Sequence, residues 1–495
     1  MFAGLETDIV DSSVYQKTLK KFRKDHIRLP TFSELSNPSI INKKLKNKLC
    51  LIDSHSPDPL NLFRVHWYNG ENQNRIIDIP LYVELPSDLT GVDAKIIVLL
   101  GNKFPIINAH KVLAAYGCLI PKLLTGQFDL SRDKAVWPST GNYCRGGIAI
   151  SRILGCRGLA VLPEGMSKER FDWLEKWITN KADIIRTPGS ESNVKEIYDA
   201  CNELAKDPTN VILNQFSEFA NYITHRMVTG PALECVFNRA NSDGSLRLAA
   251  YVASSGSGGT LAAGDYLKAK LGAKIGVVEA LQCPTILYNG YGDHNIQGIG
   301  DKHIPLIHNV FNTDFAIAVS EAATDSLNLL FNRKSGVEFL KQRKNISEEI
   351  IQYLPDLGLS AIANIIASIK LSKYLSLGPD EVVITVATDG GELYRTEGLS
   401  FEEASFDGKF NELNAAEIYG CYLGGVATDN LIELDRIGRE RIFNLGYYTW
   451  VEQQGVSLAD FDIRRKQKFW DDLTDYIGIW DQMISSFNLE TGVEN

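Results

Sequence analysis

The chain has 495 residues and a formal net charge of −10, with 44% hydrophobic and 23% charged residues. This composition is typical of a globular protein, and the acidic balance argues against a general role in nucleic-acid binding. The first twenty residues carry acids and hydroxyls where a secretory signal would need an apolar run, and the apolar stretches are too short to span a bilayer. We therefore predict a cytoplasmic protein without a membrane span.

The eight cysteines are scattered along the chain without a CxxC pair, and the eight histidines form no HExxH motif. This spacing argues against a disulfide framework and against a structural zinc site of the usual kind. We expect reduced thiols, most of them buried, and the sequence does not indicate metal chemistry.

Short apolar runs alternate with longer amphipathic segments from about residue 95 to residue 390. Such runs, flanked by Gly, Pro or polar turns, are typical of strands buried on both faces of a parallel sheet. The predicted strands are 95–100, 158–162, 210–213, 248–253, 274–280, 315–319 and 382–387. Residues 167–180 predict a helix with Ser167 as its cap. The alternation predicts an α/β fold with functional loops at the carboxyl ends of the strands.

The two flanks lack this alternation. Residues 1–90 are predicted to form an N-terminal extension that includes a lysine-rich helix and turn-rich segments. Residues 398–495 are rich in aromatic residues and predict a helical C-terminal extension. Such a tail could pack on the body of the protein or on a second subunit.

The first candidate catalytic residue is Lys111, in the stretch FPIINAHKVLAAYG (104–117). It stands at the head of an apolar helix, close after the strand 95–100. A lysine at the buried end of a helix loses hydration, which lowers its pKa and makes the neutral amine accessible for Schiff-base chemistry. In isolation, the pattern also suits a surface lysine whose stem lies along apolar surface. Lys103 is the nearby competitor.

The second candidate is a polar loop in WPSTGNYCRGGIAISRILG (137–155), just before a predicted helix. Its residues are Ser139, Thr140, Gly141 and Asn142. Hydroxyls, backbone N–H groups and an amide gathered at a helix start suit a carboxylate ligand. An ordinary helix N-cap with a turn glycine explains the same residues equally well on local grounds.

The third candidate is a glycine-rich turn between a buried strand and a helix, in YVASSGSGGTLAAGDYLKAK (251–270). Glycines let backbone N–H groups converge on one point, and the helix start adds a positive dipole end, so the turn can cradle a phosphate. A merely tight turn remains an alternative. NAD binding is disfavoured because the spacing is GxGGT rather than GxGxxG.

These three motifs, in this order, resemble the pyridoxal-phosphate (PLP) enzymes of the tryptophan-synthase-β type, called fold type II, and most closely the cysteine synthase and cystathionine β-synthase group. Four further stretches agree: VLPEGMS (161–167), 214–231, HNIQGIGDKHIP (294–305) and DGGELYRT (389–396). The resemblance covers roughly residues 95–397. It implies a catalytic domain over 91–397, with the cofactor between two α/β subdomains that have parallel or mixed sheets. The smaller subdomain would span roughly 135–235.

The resemblance also implies residue roles. Lys111 matches the lysine that forms the internal aldimine with PLP and then acts as general base at Cα. Asn142 matches the asparagine beside the cofactor's 3′-oxygen, and Gly298 lies in the loop facing the cofactor edge. The phosphate loop matches Gly256, Ser257, Gly258, Gly259 and Thr260. The substrate carboxylate is expected to bind Ser139, Thr140 and Gly141, with assistance from Gln215.

Two departures from the group's pattern bear on these roles. Tyr143 stands where the family usually has a second threonine, so substrate binding by this residue is expected to be altered. Near the pyridine nitrogen, where the family places a serine, two registers put either Thr388 or Asp389 at the contact. We predict Thr388, because a neutral hydroxyl suffices for elimination at Cβ, whereas an aspartate would hold a proton on the ring.

The function implied is PLP-dependent β-elimination on a small amino acid through an aminoacrylate intermediate. The predicted reaction is cysteine degradation that releases sulfide, pyruvate and ammonia. The alternative is β-replacement by a cysteine synthase-like transferase that uses O-acetylserine or serine with sulfide or a thiol. A non-catalytic ligand-binding protein on this fold is disfavoured by the presence of both Lys111 and the phosphate loop. A homodimer or higher homo-oligomer is expected.

Overall fold

The computed structural model describes residues 2–493. The strands are β1 (Tyr82–Leu85), β2 (Lys95–Leu100), β3 (Lys134–Pro138), β4 (Arg157–Pro163), β5 (Ile184–Thr187), β6 (Asn210–Ile212), β7 (Arg247–Ser254), β8 (Lys274–Ala280), β9 (Phe315–Val319), β10 (Glu381–Ala387) and β11 (Leu431–Glu433).

The helices alternate with these strands and continue into both flanks. They are α1 (Ser12–Lys24), α2 (Phe32–Ser36), α3 (Lys43–Leu49), α4 (Ser87–Thr90), α5 (Lys111–Leu124), α6 (Asn142–Leu154), α7 (Lys168–Trp177), α8 (Val194–Leu204), α9 (Phe219–Thr224), α10 (Gly230–Ala240), α11 (Ala262–Leu271), α12 (Thr285–Tyr288), α13 (Glu321–Asn332), α14 (Lys334–Lys344), α15 (Glu348–Ile351), α16 (Leu359–Leu375), α17 (Arg395–Phe406), α18 (Glu412–Tyr419), α19 (Arg436–Tyr447), α20 (Leu458–Ile463), α21 (Gln467–Asp472) and α22 (Tyr476–Thr491).

The larger sheet has seven strands in the order β1-β2-β10-β7-β8-β9-β11. Its five central strands run parallel, and β1 and β11 join its two edges antiparallel. The central strands are almost wholly buried, as expected for a sheet with helices on both faces. Among these helices, α16 packs on β10 and is buried along most of its length. The five strands predicted here are confirmed.

The smaller sheet has four parallel strands in the order β5-β4-β3-β6. The predicted strands 158–162 and 210–213 are confirmed as β4 and β6. Four strands were not predicted: β1, β3, β5 and β11. Two of them lie in the flanks, where the sequence shows no alternation, and β5 is a short strand whose apolar pair is only half-buried.

The predicted helix after residue 167 is confirmed as α7, and its N-cap residue is Ser167 as predicted, but the expected capping hydrogen bond is not formed. Ser167 occupies the N-cap position and its hydroxyl makes no capping hydrogen bond. Its backbone N–H instead donates to Gln297 Oε1 at 3.1 Å. This hydrogen bond connects the start of α7 to the loop 294–305. It does not cap the helix within its own first turn.

The two flanking segments pack against each other beside α5. Helix α1 contacts α22, and Leu29 and Asn488 exchange two hydrogen bonds of 3.1 and 2.8 Å. The tryptophans of the tail, Trp450, Trp470 and Trp480, are buried. All eight cysteines are free thiols, but only Cys118, Cys144, Cys201 and Cys283 are buried, so the expectation that most are buried is wrong. Within residues 2–493, no helix combines the length and apolar character needed to cross a membrane.

Candidate active site

Lys111 is the first residue of α5, so its amine lies where the helix starts beside the carboxyl end of β2. Its Nζ donates to Ser257 Oγ at 3.1 Å and to Gln215 Oε1 at 3.2 Å. Burial lowers the pKa of Lys111 to about 8, although the carboxyl groups of Asp301 and Glu191 act in the opposite direction. The amine is therefore deprotonated far more readily than an ordinary lysine.

The competing lysine has a different environment. Lys103 forms ion pairs of 2.8 Å with Asp356 and 3.0 Å with Glu71. Burial alone would lower the pKa of Lys103, but the hydrogen bonds and charges of these two carboxylates raise it overall. An ammonium held by two acids is a poor nucleophile, so this contrast favours Lys111 as the reactive amine.

The glycine-rich turn joins β7 to α11 and brings its side chains to Lys111. Ser257 Oγ accepts from Lys111 Nζ and, at 3.1 Å, from Asn221 Nδ2. Gly258 has a φ of +81°, in the left-handed region that favours glycine. The buried Ser255 Oγ and Asn221 Oδ1 at this turn have no hydrogen-bond partner within the protein.

The polar loop 139–141 joins β3 to α6 and is buried. Ser139 Oγ accepts from the backbone N–H of Gly141 at 3.0 Å, which closes the loop on itself. The loop lies at the carboxyl end of the smaller sheet, and Gln215, after β6 of the same sheet, reaches Lys111. The polar loop and Gln215 therefore lie at the same edge of the smaller sheet, and Gln215 contacts the amine of Lys111.

Asn142, at the start of α6, is bonded to the other sheet. Its Nδ2 donates to Asp389 Oδ2 at 2.6 Å, and Tyr394 Oη donates to the same oxygen at 2.8 Å. Arg170 lies 3.6 Å from this carboxylate and is wholly buried. Burial raises the pKa of Asp389, while Arg170 and the hydrogen bonds oppose the shift.

Thr388 lies one residue before this network. Its backbone carbonyl accepts from the N–H of His110 at 3.2 Å, so β10 is tied to the residue that precedes the reactive lysine. Thr388 and Asp389 thus both lie at the start of α5, and the choice of Thr388 for the pyridine contact stays a prediction.

Gly298 is half-buried and has open space beside it. Its φ is +103°, and a Cβ built there would meet no heavy atom within 4 Å. Its neighbours Gln297 and Ile299 are nevertheless buried. The loop 294–305 therefore leaves room beside Gly298 for a flat group.

The side chain of Tyr143 points away from the polar loop. Its ring packs edge-on against Trp137, with centroids 5.4 Å apart, and its hydroxyl donates to the carbonyl of Leu213 at 3.1 Å. The side chain is fully buried in the core beneath α6. The role of Tyr143 in substrate binding stays a prediction. Because its side chain is buried, only its backbone groups could contact the substrate.

Sequence reasoning missed two buried acids near Lys111. Glu191 is 1% exposed and Asp301 is 6% exposed, and both act electrostatically on the Lys111 amine. Asp301 lies inside the motif HNIQGIGDKHIP (294–305), so the signal for it was present. Glu191 follows β5, a strand that was not predicted, and it lies outside every motif identified in the sequence.

Sequence reasoning also missed His110, which precedes the reactive lysine. Its Nε2 lies 3.2 Å from Thr260 Oγ1 of the glycine-rich turn. Its ring stacks on Trp67 with centroids 5.3 Å apart. Burial lowers the pKa of His110 to about 3, with Lys111 adding to the effect, so the imidazole is neutral. The available signal was the sequence NAHK (108–111), in which a histidine directly precedes the lysine.

The residues brought together fit PLP. A deprotonable amine at Lys111 suits its aldehyde, and the turn at the start of α11 offers backbone N–H groups and hydroxyls to a phosphate. The unpartnered Ser255 Oγ and Asn221 Oδ1 give that turn spare hydrogen-bonding capacity. The open space beside Gly298 suits the pyridine ring.

Comparison with curated proteins finds cysteine synthases among the relatives of this chain. The chain is 31% identical over 265 residues to the probable cysteine synthase of Bacillus subtilis (strain 168), covering 53% of this chain and 76% of that protein.

Solved structures share the fold. A hydrogen sulfide-producing enzyme of Fusobacterium nucleatum matches with a TM-score of 0.52 at 21% identity, covering 63% of this chain and 96% of that one. The O-acetylserine dependent cystathionine β-synthase of Helicobacter pylori matches with a TM-score of 0.51 at 20% identity, covering 64% of this chain and 94% of that one. The expected fold type II architecture is confirmed.

The family model described as pyridoxal-phosphate dependent enzyme matches residues 80–333. That range contains Lys111, the polar loop and the glycine-rich turn. The predicted cofactor is confirmed, whereas the roles of individual residues stay predictions. The chain belongs to the family of pyridoxal-phosphate dependent enzymes.

Proposed function

We propose that the protein catalyses β-elimination on a small amino acid, with cysteine as substrate and sulfide, pyruvate and ammonia as products. The observation that carries the proposal is the amine of Lys111, whose pKa is lowered to about 8 by burial and which is hydrogen-bonded to Ser257 and Gln215. A base of that strength can both release and accept a proton near neutral pH.

Bound PLP supplies the aldehyde that captures the substrate amine and the ring that withdraws electrons from Cα. Lys111 removes the Cα proton, and the polar loop 139–141 with Gln215 holds the substrate carboxylate. The C–S bond breaks and sulfur leaves as hydrogen sulfide. One water then completes the balance, so that cysteine and water give pyruvate, ammonia and hydrogen sulfide.

The cofactor would be held at both ends by this chain. We assign the phosphate to the turn of Gly256, Ser257, Gly258, Gly259 and Thr260, the 3′-oxygen to Asn142, the ring edge to Gly298 and the pyridine nitrogen to Thr388. The hydrogen bond from Lys111 to Ser257 supports this assignment, because it brings the reactive amine to the phosphate turn.

The same site suits β-replacement, in which a sulfide or thiol adds at Cβ in place of water. The name of the Bacillus subtilis relative, a probable cysteine synthase, favours replacement. The name of the Fusobacterium nucleatum structure, a hydrogen sulfide-producing enzyme, favours elimination. We place elimination first because Tyr143 and the two long extensions depart from the biosynthetic synthases.

The deciding experiment compares substrates on the purified holoenzyme. Cysteine alone is expected to yield sulfide and pyruvate in equal amounts, and Lys111→Ala is expected to yield neither. If pyruvate is absent and O-acetylserine with sulfide gives cysteine, the enzyme is a synthase. If cysteine reacts only when a second thiol is added, replacement with cysteine as donor is the reaction.

We further propose a catalytic domain over residues 91–397, with the smaller subdomain near 135–235, between an N-terminal extension (1–90) and a C-terminal extension (398–495). The four-stranded sheet, which spans 134–212, supports the smaller subdomain.

A cytoplasmic location fits the eight free thiols. Sedimentation of the holoenzyme tests the proposed homodimer or higher homo-oligomer.

A further inference from the structure

A small cavity lies behind Tyr394, outside the residues assigned to the cofactor and the substrate. Its volume is about 250 Å³, and it is bounded by α13, by the turn at 354–356, by residues 391–395 and by the first turn of α17. Exposed side chains at its rim, Asn332 and Glu392 among them, leave it accessible from solvent. Drug-sized ligands fill about 300–1,000 Å³, so the ligand that fits here is smaller.

Two hydrogen-bond donors border this cavity at the same point, beside Gly398. A Cβ built on Gly398 would lie 3.4 Å from Asn328 Nδ2 and 3.8 Å from Arg333 Nη2. Within residues 2–493, the buried Arg333 Nη2 has no hydrogen-bond partner, and the Asn328 side chain only accepts, from Asn332 Nδ2 at 3.0 Å. A donor left without an acceptor is costly, so the pair points to a ligand that accepts from both.

The guanidinium of Arg333 is held in place by a second contact. Its Nε donates to Glu402 Oε2 at 2.6 Å, across from α13 to α17. This bond fixes the plane of the guanidinium and leaves Nη2 for the cavity. A guanidinium N–H beside an amide N–H presents two donors to the two oxygens of a carboxylate.

The charges around the cavity restrict the ligand further. Arg333 and Arg395 are the cations that line it, and Asp356 and Glu392 are the acids. Equal numbers of opposite charges disfavour a dianion such as phosphate and suit a ligand with a single negative charge or a zwitterion. A carboxylate therefore fits the two donors and the surrounding charges together.

Tyr394 connects the cavity to the cofactor site. It lines the cavity, and its hydroxyl donates to Asp389 Oδ2 at 2.8 Å. The same oxygen accepts from Asn142 Nδ2 at 2.6 Å. Gly391, two positions after Asp389, also lines the cavity. A ligand that packs against this turn and against Tyr394 can therefore shift the hydrogen bonds made by Asn142.

We propose that this cavity binds a small carboxylate, which acts on the cofactor site through Tyr394. The carboxylate accepts hydrogen bonds from Arg333 Nη2 and Asn328 Nδ2. Two sources share this chemistry: a simple acid, such as a 2-oxo acid, and a free amino acid, whose ammonium the rim acid Glu392 could accept. The site is separate from the polar loop 139–141, which lines no part of this cavity.

The test measures binding to the holoenzyme by ligand-observed NMR, which does not depend on turnover. The probes are acetate, a simple acid, and N,N-dimethylglycine, a zwitterion whose tertiary amine cannot form an imine with PLP. Arg333→Lys keeps the positive charge but removes Nη2, and Gly398→Ala adds a Cβ beside both donors at ordinary contact distances. Each substitution should weaken the bound probe by about tenfold or more, because a charge-assisted hydrogen bond is lost or obstructed.

Arg343→Lys and Gly478→Ala are the matched controls, and neither residue lines the cavity. Arg343 also donates from Nε to a glutamate of another helix, Glu412, at 2.8 Å. Gly478 is a helical glycine, and a Cβ built there meets no heavy atom of the described residues within 4 Å. Both controls should bind the probes as the wild type does. Thermal unfolding of all four variants shows that each is folded, and two test variants of different chemistry guard against loss of one.

The absorbance of bound PLP reports the link to the cofactor site. Saturation with the probe should shift the spectrum of the wild type and leave that of Gly398→Ala unchanged. The tighter of the two probes identifies the source, acetate for a simple acid and dimethylglycine for an amino acid.

Three results would contradict the proposal. If neither probe binds the wild type, or if both test variants bind the probes as tightly as the wild type, the cavity is not a carboxylate site. If binding depends on Arg333 and Gly398 but the spectrum stays unchanged, the link through Tyr394 is wrong.

Discussion

The imidazole of His110 contacts the hydroxyl of Thr260, with 3.2 Å between Nε2 and Oγ1. The residue before Lys111 is thereby linked to the glycine-rich turn, although the two are 150 positions apart in the chain. On its other side the imidazole stacks on Trp67, whose indole N–H donates to Thr229 Oγ1 at 2.9 Å. The N-terminal flank therefore reaches the residue beside Lys111 through an aromatic contact.

We expect His110→Phe to weaken PLP binding by roughly 2- to 10-fold, because a neutral hydrogen bond contributes about 0.5–1.5 kcal/mol. The phenyl ring keeps the stack on Trp67 and removes only the contact with Thr260. Titration of the apoenzyme with PLP, followed by absorbance, measures the affinity.

A double-mutant cycle with Thr260→Ala identifies the route of this effect. If His110 acts through Thr260, the double variant should bind PLP no more weakly than Thr260→Ala alone. Fully additive losses would show that His110 acts by another route.

Lys111→Ala should abolish turnover and covalent attachment of PLP while the fold is retained. Borohydride reduction of the wild-type holoenzyme followed by peptide mass analysis should place the cofactor on Lys111. Lys103 is held by two carboxylates and its pKa is raised, so it should remain unmodified. Attachment to Lys103 would contradict the assignment.

The pKa of about 8 for Lys111 predicts the pH dependence of cofactor loading. The neutral amine is the reactive form, so about a tenth of the apoenzyme is competent at pH 7 and most of it above pH 9. The initial rate of PLP attachment to the apoenzyme should therefore rise with pH, reach half its maximum near pH 8 and level off above about pH 9. Asp301 raises the pKa of Lys111, so Asp301→Asn should move the midpoint to lower pH. A midpoint near 10.5 in the wild type would show that the amine is not desolvated.

Gly258→Val should weaken PLP binding, because a β-branched residue cannot adopt a φ of +81° without strain. The affinity of the apoenzyme for PLP and for inorganic phosphate reports the loss. Gly244→Val is a control for the strain alone, since Gly244 has a φ of +75° far from the turn and open space around it. Equal PLP affinity in the two variants would show that the turn around Gly258 does not bind the cofactor.

Thr388→Val and Asp389→Asn distinguish the two possible contacts to the pyridine nitrogen. We expect Thr388→Val to alter the absorbance of the bound cofactor with little loss of stability. Asp389→Asn should chiefly lower the free energy of unfolding, by about 3–5 kcal/mol, because it leaves the buried Arg170 without its ion-pair partner. If only Asp389→Asn changes the cofactor spectrum, Asp389 is the contact and the ring nitrogen is protonated.

Several parts of the architecture were readable from the sequence because each is encoded within a few consecutive residues. A strand buried on both faces shows itself as an apolar run, and all seven such runs are strands. The glycine-rich turn follows such a strand directly and Lys111 follows one closely, so their place at the carboxyl end of the larger sheet could be predicted. The polar loop follows β3, a strand that was not predicted.

The tertiary structure alone decided which side chains meet. Glu191 and Asp301 lie on two separate loops and Lys111 lies on α5. Asp389 pairs with Arg170 more than two hundred positions away, and Tyr143 turns into the core. Sequence periodicity reports the burial of one face of an element and carries no information on the distance between charges from different elements. The lowered pKa of Lys111 arises from desolvation by packed chain segments, which exist around it only once both sheets have formed.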